Sequence, residues 1–466
     1  MYTQIGRFGQ KAAAISDTGG VLTYAELQKL CCDITAKMTT RGVVFCMCGN
    51  SLGALVGYVA CVYAHQPAVM LDGNKDTDSV LALQQVYRPR YMWVSEQRMG
   101  DFGDCSTIFS YSGYVLLEFE TPKADYNPEL QLLLTTSGST GSPKLVRLTQ
   151  KNLLSNAESI AEYLNITADE RPITSLPMYY SYGLSVINSH LIKGATILLT
   201  DKGVMQKEFW AFAKEEKATS FAGVPYTYEM LRRLRIFRMD LPALTTFTQA
   251  GGKLKAELVK EFIEESRKVN KRFIVMYGQT EATARMSYLP EAVALEKYAS
   301  IGIAIPGGQF ALVAQDGSPI LEPDTEGELV YTGANVSMGY AECAADLALG
   351  DENQGTLHTG DLAKRDTDGY YYITGRLKRF VKVWGNRCNL DAVEQICKTV
   401  TMNCACTGVD DKITIYVTEE DHNAAILEKL TAKTGFNMRA FEIRVIPDIP
   451  KNESGKVQYA ELARLA

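Results

Sequence analysis

A glycine- and serine-rich loop between two apolar runs places the tightest limit on how this chain can fold. The run before the loop, LQLLLT (Leu130–Thr135), is nearly continuous in apolar residues, which is typical of a strand covered on both faces. The run after it, KLVRL, alternates like a second strand, and Thr149 then has the position of an N-cap before a helical pattern. The loop therefore joins strand to strand and fits neither the Walker nor the dinucleotide-binding pattern.

Apolar runs alternate with helical patterns along much of the chain, which predicts parallel α/β units. VVFCMC and PAVML are predicted strands on either side of the helical GALVGYVACVYAH. ATILLT and FIVMYG are further predicted strands, with KAELVKEFIEESRKV as a helix between them. From about Gly302 to Tyr340 short strands and turns replace this pattern, and Asp368-Gly369 then predicts a hairpin turn.

The length and a change in composition predict two domains. A chain of 466 residues exceeds what one hydrophobic core usually supports. After Arg376 the sequence becomes basic in LKRFVKVWGNR. We therefore place a boundary near Lys378, with an N-terminal domain of residues 1–377 and a small α+β domain of residues 378–466.

Composition excludes several classes of partner. The net charge of −6 provides no basic surface for nucleic acid. The N-terminus lacks the apolar core of a signal peptide, and the longest apolar run, Leu55–Ala64, is too short to span a bilayer, so we expect a buried helix and no membrane insertion. The 11 cysteines show no C-x-x-C pair and the 4 histidines are far apart, which favours reduced thiols in a cytoplasmic protein without structural zinc.

The loop TTSGSTGSPK has the composition of a phosphate-binding segment. Its glycines let backbone N–H groups approach an anion closely, its hydroxyls add donors, and Lys144 adds a positive charge. These groups predict a mobile holder for a triphosphate. A solvated serine and glycine turn is the alternative that the loop alone leaves open.

Further stretches accompany this loop in a fixed order. They are YGQTEA (Tyr277–Ala282), GELVYTG (Gly327–Gly333), HTGDL (His358–Leu362), ITGRLK (Ile373–Lys378) and PKNESGKVQY (Pro450–Tyr459), preceded by LTYAEL (Leu22–Leu27) and LPMYYSYG (Leu176–Gly183). Together with the loop, this set clearly resembles the adenylate-forming superfamily of acyl-CoA synthetases, amino-acid adenylation domains and firefly luciferase. The resemblance covers nearly the whole chain.

The resemblance implies a fold class and a reaction. The expected α/β fold has a large N-terminal domain of stacked α/β subdomains with a small β-barrel-like subdomain, and a small mobile C-terminal α+β domain. The expected reaction joins a small carboxylic acid to ATP as an acyl-adenylate, releasing pyrophosphate, and then to a thiol. Mg²⁺ and oriented donors would offset the phosphate charge. The thiol would be coenzyme A or the phosphopantetheine of an acyl carrier protein.

The resemblance also implies roles for residues at the nucleotide. Tyr277 would pack beside adenine, Thr280 would contact the α-phosphate, and Glu281 would bind Mg²⁺, whose preference is for carboxylate oxygen. Asp361 and Arg376 would contact the ribose. The β- and γ-phosphates would be held by Thr136, Ser137, Gly138, Ser139, Thr140, Gly141 and Lys144. The alternatives are a helix N-terminal charge for Glu281, a turn aspartate for Asp361 and a surface ion pair for Arg376.

Two lysines near the C-terminal domain complete the expected machinery. By the resemblance, Lys456 would reach between the incoming carboxylate and the α-phosphate and act as a catalytic residue with Thr280 and Glu281. Lys378 occupies the hinge about which the small domain rotates between the two half-reactions. A nucleic-acid or lipid patch is the alternative for the basic stretch around Lys378.

The acyl pocket is expected to be lined by a small set of residues. Tyr180 stands where many members of the superfamily have histidine. Ala222 stands near the place where amino-acid adenylation domains commonly have an aspartate that pairs with the α-ammonium of the substrate, which disfavours an α-amino acid. Arg285 could bind a second anionic group, with a structural ion pair as the alternative. The expected lining is Tyr180, Ala222, Gly223, Gly251, Gly252 and Arg285, which suits a short or aromatic acid.

Three functions remain open from the sequence. The first is an acid–thiol ligase that uses coenzyme A. The second is an adenylation enzyme that loads a carrier protein. The third is a catalytically silent nucleotide-binding protein, against which stands the presence of Lys144, Glu281, Asp361, Arg376 and Lys456. A luciferase-like oxidation is remote, since a fold alone does not carry that chemistry.

Overall fold

The computed structural model describes residues 1–122, 124–135, 144–377, 379–451 and 457–465. Its described residues form two compact units. The first falls within Met1–Thr136, Pro143–Gln309 and Tyr331–Leu357, and the second within Phe310–Val330 and His358–Ala466. The boundary near Lys378 and the domain ranges drawn from the sequence stay predictions.

The secondary structure is mixed α/β. The helices are α1 (Tyr24–Lys37), α2 (Leu52–Tyr63), α3 (Thr77–Tyr87), α4 (Gln150–Tyr163), α5 (Ser181–Leu191), α6 (Lys207–Glu215), α7 (Pro225–Arg233), α8 (Ala256–Lys268), α9 (Leu390–Lys398), α10 (Asn423–Thr434) and α11 (Tyr459–Arg464). The first strands are β1 (Ala12–Ser16), β2 (Val21–Thr23), β3 (Val44–Cys48), β4 (Ala68–Asp72), β5 (Tyr91–Ser95), β6 (Ser106–Tyr111), β7 (Tyr114–Glu118), β8 (Leu130–Thr135) and β9 (Leu145–Thr149). Next come β10 (Pro172–Ile173), β11 (Ile197–Leu199), β12 (Ser220–Gly223), β13 (Thr246–Gln249), β14 (Arg272–Tyr277), β15 (Ser287–Tyr288), β16 (Ile303–Ala304), β17 (Gly308–Val313) and β18 (Gly327–Gly333). The last are β19 (Gly339–Ala341), β20 (Thr356–Arg365), β21 (Tyr371–Arg376), β22 (Phe380–Val383), β23 (Asn386–Asn389), β24 (Cys404–Val409), β25 (Lys412–Val417) and β26 (Phe441–Val445).

Two large sheets form the first unit. One has the order β16-β15-β14-β13-β12-β10-β11-β1-β2 and the other the order β19-β9-β8-β4-β3-β5-β7-β6. Their central strands pair in parallel, as the alternating pattern predicts, but edge strands such as β2, β6, β7, β9, β15 and β19 pair antiparallel. The parallel pairing predicted for the alternating units is therefore confirmed for the central strands, and the sheets have antiparallel strands at their edges, for which no pairing direction was predicted.

The two sheets share a core built around helix α2. The largest buried cluster takes residues from both sheets and from α1, α2 and α5. Helix α2 is buried from Leu52 to Val62, and Ser51 caps it by accepting from the N–H of Ala54. This confirms the buried helix expected from the apolar run Leu55–Ala64.

The segment from β8 to α4 forms as its sequence predicts. β8 and β9 pair antiparallel, so the chain passes from strand to strand across the loop. Thr149 then caps α4, because its hydroxyl accepts from the N–H of Asn152 (3.0 Å) and the Asn152 side chain accepts from the N–H of Thr149 (2.8 Å). The amide of Asn152 also donates to the carbonyl oxygens of Ala334 and Val336, which holds that distant segment against the helix start.

The second unit consists of a β-sheet and a small α+β body. The sheet has the order β17-β18-β20-β21, and β20 and β21 form the hairpin predicted at Asp368-Gly369. The body contains the β22–β23 hairpin, the three-stranded sheet β24-β25-β26 and helices α9 to α11, around a core of its own. The expected α/β class, with large N-terminal sheets and a smaller C-terminal α+β part, is confirmed.

Candidate active site

The carboxyl ends of three parallel strands bring the predicted acyl-binding and catalytic segments together in the first unit. β12, β13 and β14 pair in register, with Gly223 opposite Gln249 and Gln249 opposite Val275. The segments that follow the strands therefore meet at one edge of the sheet, which is where ligands bind in open parallel sheets. Ala222 and Gly223, Gly251 and Gly252, and the turn after Tyr277 lie on these strands or directly after them.

The turn after β14 has a tight and strained backbone. A Cβ atom at Gly278 would lie 1.7 Å from the carbonyl oxygen of Ala284, so only glycine fits there. Thr283 and Ala284 both have positive φ, 56° and 97°, a conformation that costs free energy and is frequent at functional sites. Thr280 and Glu281 lie on a short 3-10 turn within this loop.

Two distant residues hold this turn in place, and the sequence motifs did not reveal either of them. The buried amide of Asn335 donates to the carbonyl oxygens of Ala282 (2.7 Å) and Arg285 (3.0 Å). The hydroxyl of Ser181, at the start of α5, lies 3.1 Å from the hydroxyl of Thr280. The position of Thr280 thus depends on a neighbour 99 residues earlier in the chain.

The carboxylate of Glu281 lacks a basic partner within the described part of the chain. Its Oε1 accepts a hydrogen bond from the hydroxyl of Tyr340 (2.8 Å), and its backbone carbonyl accepts from the N–H of Ser337 (2.8 Å). Burial, together with the nearby Glu281 charge, raises the pKa of Tyr340, so this phenol stays a donor at neutral pH. Tyr340 was not predicted, because no local pattern marks a contact that spans 59 residues.

Lys144 lies beside the same tyrosine. Its Nζ is 2.6 Å from Oε1 of Glu342 and 5.5 Å from the centre of the Tyr340 ring. Both members of the ion pair are about half exposed, so the pair itself adds little to stability. Tyr340 therefore connects two predicted nucleotide-binding residues, Lys144 and Glu281, on one surface of the first unit.

This arrangement fits a magnesium ion held together with phosphates. Mg²⁺ is usually bound by one or two carboxylates, waters and substrate phosphates rather than by a cage of protein ligands. Glu281 offers such a carboxylate, with one oxygen that receives no donor from the described residues. No group of three or more acidic, histidine or cysteine side chains among those residues could hold a metal by itself.

Tyr180 closes one side of the expected acyl pocket. It precedes α5, and its hydroxyl lies close to Gly251. A Cβ atom at Gly251, whose φ is +83°, would lie 2.6 Å from that hydroxyl. Burial raises the pKa of Tyr180 to about 12, although the charge of Arg285 opposes the shift. The phenol is thus neutral and has no charge to gain near pH 7.

Arg285 lies deep beside this pocket. The residue is 1% exposed, its Nη1 donates to the hydroxyl of Tyr163 (3.2 Å), and its guanidinium lies 4.3 Å from the centre of the Tyr182 ring. Tyr182 follows Ser181, which contacts Thr280. The contacts of Arg285 and Thr280 with α5 thus involve adjacent residues of that helix.

The buried histidine His190 was not identified as a candidate site residue from the sequence. His190 is 4% exposed, and its Nδ1 lies 2.8 Å from the carbonyl oxygen of Val186. A carbonyl accepts only, so Nδ1 carries the proton and Nε2 is an acceptor. Burial lowers the pKa of His190 to about 4, with a further decrease from the charge of Arg285.

Acidification is expected to destabilise the protein through His190. In the unfolded chain this imidazole is protonated below about pH 6.5, whereas in the folded protein it is protonated only below about pH 4. The free energy of unfolding therefore falls as the pH is lowered through this window, by up to about 3 kcal/mol. Urea unfolding at a series of pH values measures the slope. His190→Gln should flatten it, whereas His422→Gln should leave it as in the wild type. Equal slopes for His190→Gln and the wild type would contradict this account.

Asp361 and Arg376 meet within the second unit. They occupy opposite positions on β20 and β21, and Nε of Arg376 lies 3.2 Å from Oδ1 of Asp361. The Asp361 side chain is nearly buried, whereas that of Arg376 is 59% exposed. The hairpin register thus brings together the two residues that the motifs assign to one sugar.

Several predicted residues lie outside the described residues. They are Thr136, Ser137, Gly138, Ser139, Thr140 and Gly141 of the glycine-serine loop, together with Lys378 and Lys456. All 11 cysteines lie within the described ranges, and each is a free thiol. Across those ranges, no helix combines the length and the apolar character that crossing a bilayer requires.

Comparison with known proteins identifies similar sequences and folds. The family model described as AMP-binding enzyme matches residues 1–341. The chain is 27% identical to a feruloyl-CoA synthase from Amycolatopsis sp, over 80% of this chain and 77% of the relative. It is 30% identical to an oxalate–CoA ligase from Arabidopsis thaliana, over 70% of this chain and 66% of the relative.

A solved structure with the same fold is the o-succinylbenzoate CoA synthetase of Bacillus subtilis in complex with the acyl-adenylate intermediate OSB-AMP. Its TM-score to this chain is 0.78, with 19% sequence identity, covering 98% of this chain and 96% of that one. The same synthetase has also been solved with ATP and a magnesium ion, with a TM-score of 0.77. At this level of identity the likeness shows the fold.

Proposed function

The chain belongs to the AMP-binding enzyme family and is acyl-CoA synthetase-like, and from this premise we propose that it activates a carboxylic acid with ATP and transfers the acyl group to coenzyme A. The observation that carries the proposal is the carboxylate of Glu281, which faces no basic side chain of the described residues and lies one residue from Thr280. Relatives named as a feruloyl-CoA synthase and an oxalate–CoA ligase support a carboxylic acid and coenzyme A as the two proposed substrates besides ATP.

The proposed first step joins the acid to the α-phosphate. A carboxylate oxygen attacks the α-phosphorus of ATP, and the bond to the bridging oxygen of pyrophosphate breaks. Glu281 would hold Mg²⁺, which would offset charge on the phosphates. In this proposal the Thr280 hydroxyl, which lies beside the Ser181 hydroxyl, donates to an α-phosphate oxygen. Lys144 contacts the leaving phosphates after releasing its exposed partner Glu342. By resemblance, Lys456 reduces the repulsion between carboxylate and phosphate.

The proposed second step releases AMP. The sulfur of the thiol attacks the acyl carbon, the bond to AMP breaks, and the thiol proton leaves to solvent or a base. Asp361 and Arg376 retain the nucleotide through its ribose. A carrier-protein phosphopantetheine could supply the same thiol group, because the chemistry at sulfur is identical. The individual roles given to these residues are part of this proposal. A cytoplasmic location is also proposed.

The test is a panel of carboxylic acids in an ATP–pyrophosphate exchange assay, followed by thioester formation with coenzyme A and with a loaded carrier protein. We expect exchange with at least one acid, at least about a 100-fold loss in Lys456→Ala, and thioester with coenzyme A. Thioester with the carrier protein alone would replace the acceptor and keep the first step. Exchange with no acid would support the catalytically silent alternative.

A further inference from the structure

The guanidinium of Arg285 is a buried cation without a carboxylate partner in the described part of the chain. An arginine stays protonated in proteins, and a buried charge normally has an ion-pair partner. The contacts of Arg285 are instead the Tyr163 hydroxyl, the sulfur of Met276 and the face of the Tyr182 ring. Its Nε has no hydrogen-bond acceptor among the described residues.

A small cavity lies against this cation. Its volume is about 20 Å³, enough for one or two water-sized groups. The lining includes Arg285, His190 and Ser220, and the Ser220 hydroxyl also has no partner among the described residues. Two buried donors without acceptors therefore face a space that a small acceptor group could fill.

The cation and Thr280 contact adjacent residues of α5. Ser181 contacts Thr280, and the next residue, Tyr182, stacks on Arg285. Adjacent residues have Cα atoms about 3.8 Å apart, so the two contacts start from nearly the same point of the chain. Tyr180, one residue earlier, meets Gly251 on the other side. Ala222, one of the residues predicted to line the acyl pocket, also lines the cavity beside Arg285.

We propose that Arg285 binds a second anionic group of the acid, so that the preferred substrates are short acids with two anionic groups. The inference rests on the proposed function and specifies its substrate class. An incoming carboxylate supplies the missing acceptor to the guanidinium, and a bond of this kind between charged groups is about twice as strong as a neutral one. A neutral acid of equal size leaves the buried charge uncompensated.

Matched acid pairs test this specificity in the wild-type protein. Malonate, succinate and glutarate are each compared with their monomethyl esters in ATP–pyrophosphate exchange. We expect the best diacid to exceed its ester in kcat/KM by roughly tenfold or more, mainly through KM. If the esters are used as well as the diacids or better, the inference fails while the proposed function stands. If none of these acids supports exchange while another acid of the wider panel does, the inference also fails; if no acid of the whole panel supports exchange, the proposed function fails.

Two variants assign the preference to Arg285. Arg285→Met should reduce the diacid-to-ester ratio to about twofold or less, whereas Arg285→Lys should keep part of it, because it retains a charge but loses the fork geometry. An unchanged ratio in Arg285→Met would overturn the assignment. If that variant gained exchange activity with longer, unbranched monocarboxylates, Arg285 would instead block a deeper apolar cavity. If Arg285→Met does not fold, the wild-type ratio and Arg285→Lys still decide.

Discussion

Replacing Glu281 with glutamine is expected to lower the rate of ATP–pyrophosphate exchange roughly 100-fold. Glutamine keeps the length of the side chain and can still accept the hydrogen bond from Tyr340, but it removes the negative charge that Mg²⁺ prefers. The concentration of Mg²⁺ needed for half-maximal exchange should therefore rise together with the loss of rate. Both quantities come from exchange assays in which Mg²⁺ is titrated at fixed ATP.

A matched variant separates this effect from a general loss of charge. Glu257 is an exposed carboxylate in the first turn of α8 and belongs to none of the predicted motifs. Glu257→Gln should retain both the exchange rate and the Mg²⁺ dependence of the wild type. If Glu281→Gln exchanges at more than about half the wild-type rate, the carboxylate is not a magnesium ligand, and the alternative of a helix N-terminal charge gains support.

The parts of the fold that were predicted correctly depend on local sequence. The strand β8, the cap at Thr149 and the buried helix α2 each follow from residues within one short window. Most of the antiparallel edge strands were not predicted. Several of them pair with a neighbour in the chain, but some have a distant partner. β19 pairs with β9, for example, across a separation that no periodic pattern encodes.

The family was predicted correctly for a different reason. Its motifs are short and follow one another in order, so membership could be inferred without knowing which motifs meet, and the family match confirms it. The supporting contacts of the site were not predictable in this way. Tyr340 reaches Glu281, Asn335 holds the turn before Arg285, and Ser181 contacts Thr280, each across at least 50 residues. The roles assigned to the motif residues stay predictions.

The catalytic turn also shows why a buried polar network is invisible to sequence patterns. A buried asparagine such as Asn335 appears in the sequence as an ordinary loop residue, yet it satisfies two backbone carbonyl groups that strand pairing does not reach. The positive φ of Ala284 also could not be predicted from the sequence, because alanine rarely adopts this conformation unless tertiary hydrogen bonds hold the backbone in place. Tertiary hydrogen bonds, rather than local propensity, determine this backbone.

The second large effect is expected in the small body of the second unit, where Glu394 is the centre of a buried ion network. Its side chain is 4% exposed and accepts from Lys398 (2.5 Å), Arg379 (3.2 Å) and the Tyr459 hydroxyl (3.0 Å). Arg379 also lies 3.6 Å from the centre of the Tyr459 ring. Because Arg379 directly follows Lys378, this network fixes the chain to the small core from residue 379 onward.

Glu394→Gln should destabilise this body by about 3 kcal/mol, since it removes the charged partner of Lys398 and leaves the largely buried Arg379 with the more exposed Asp391 as its counter-charge. Amide hydrogen exchange in β24 and β25, whose core residues are buried, measures the loss as faster exchange. Asp391→Asn removes a more exposed partner of Arg379 and should cost only about 1 kcal/mol. Equal protection in Glu394→Gln and the wild type would show that Tyr459 and the backbone alone hold Arg379 in place.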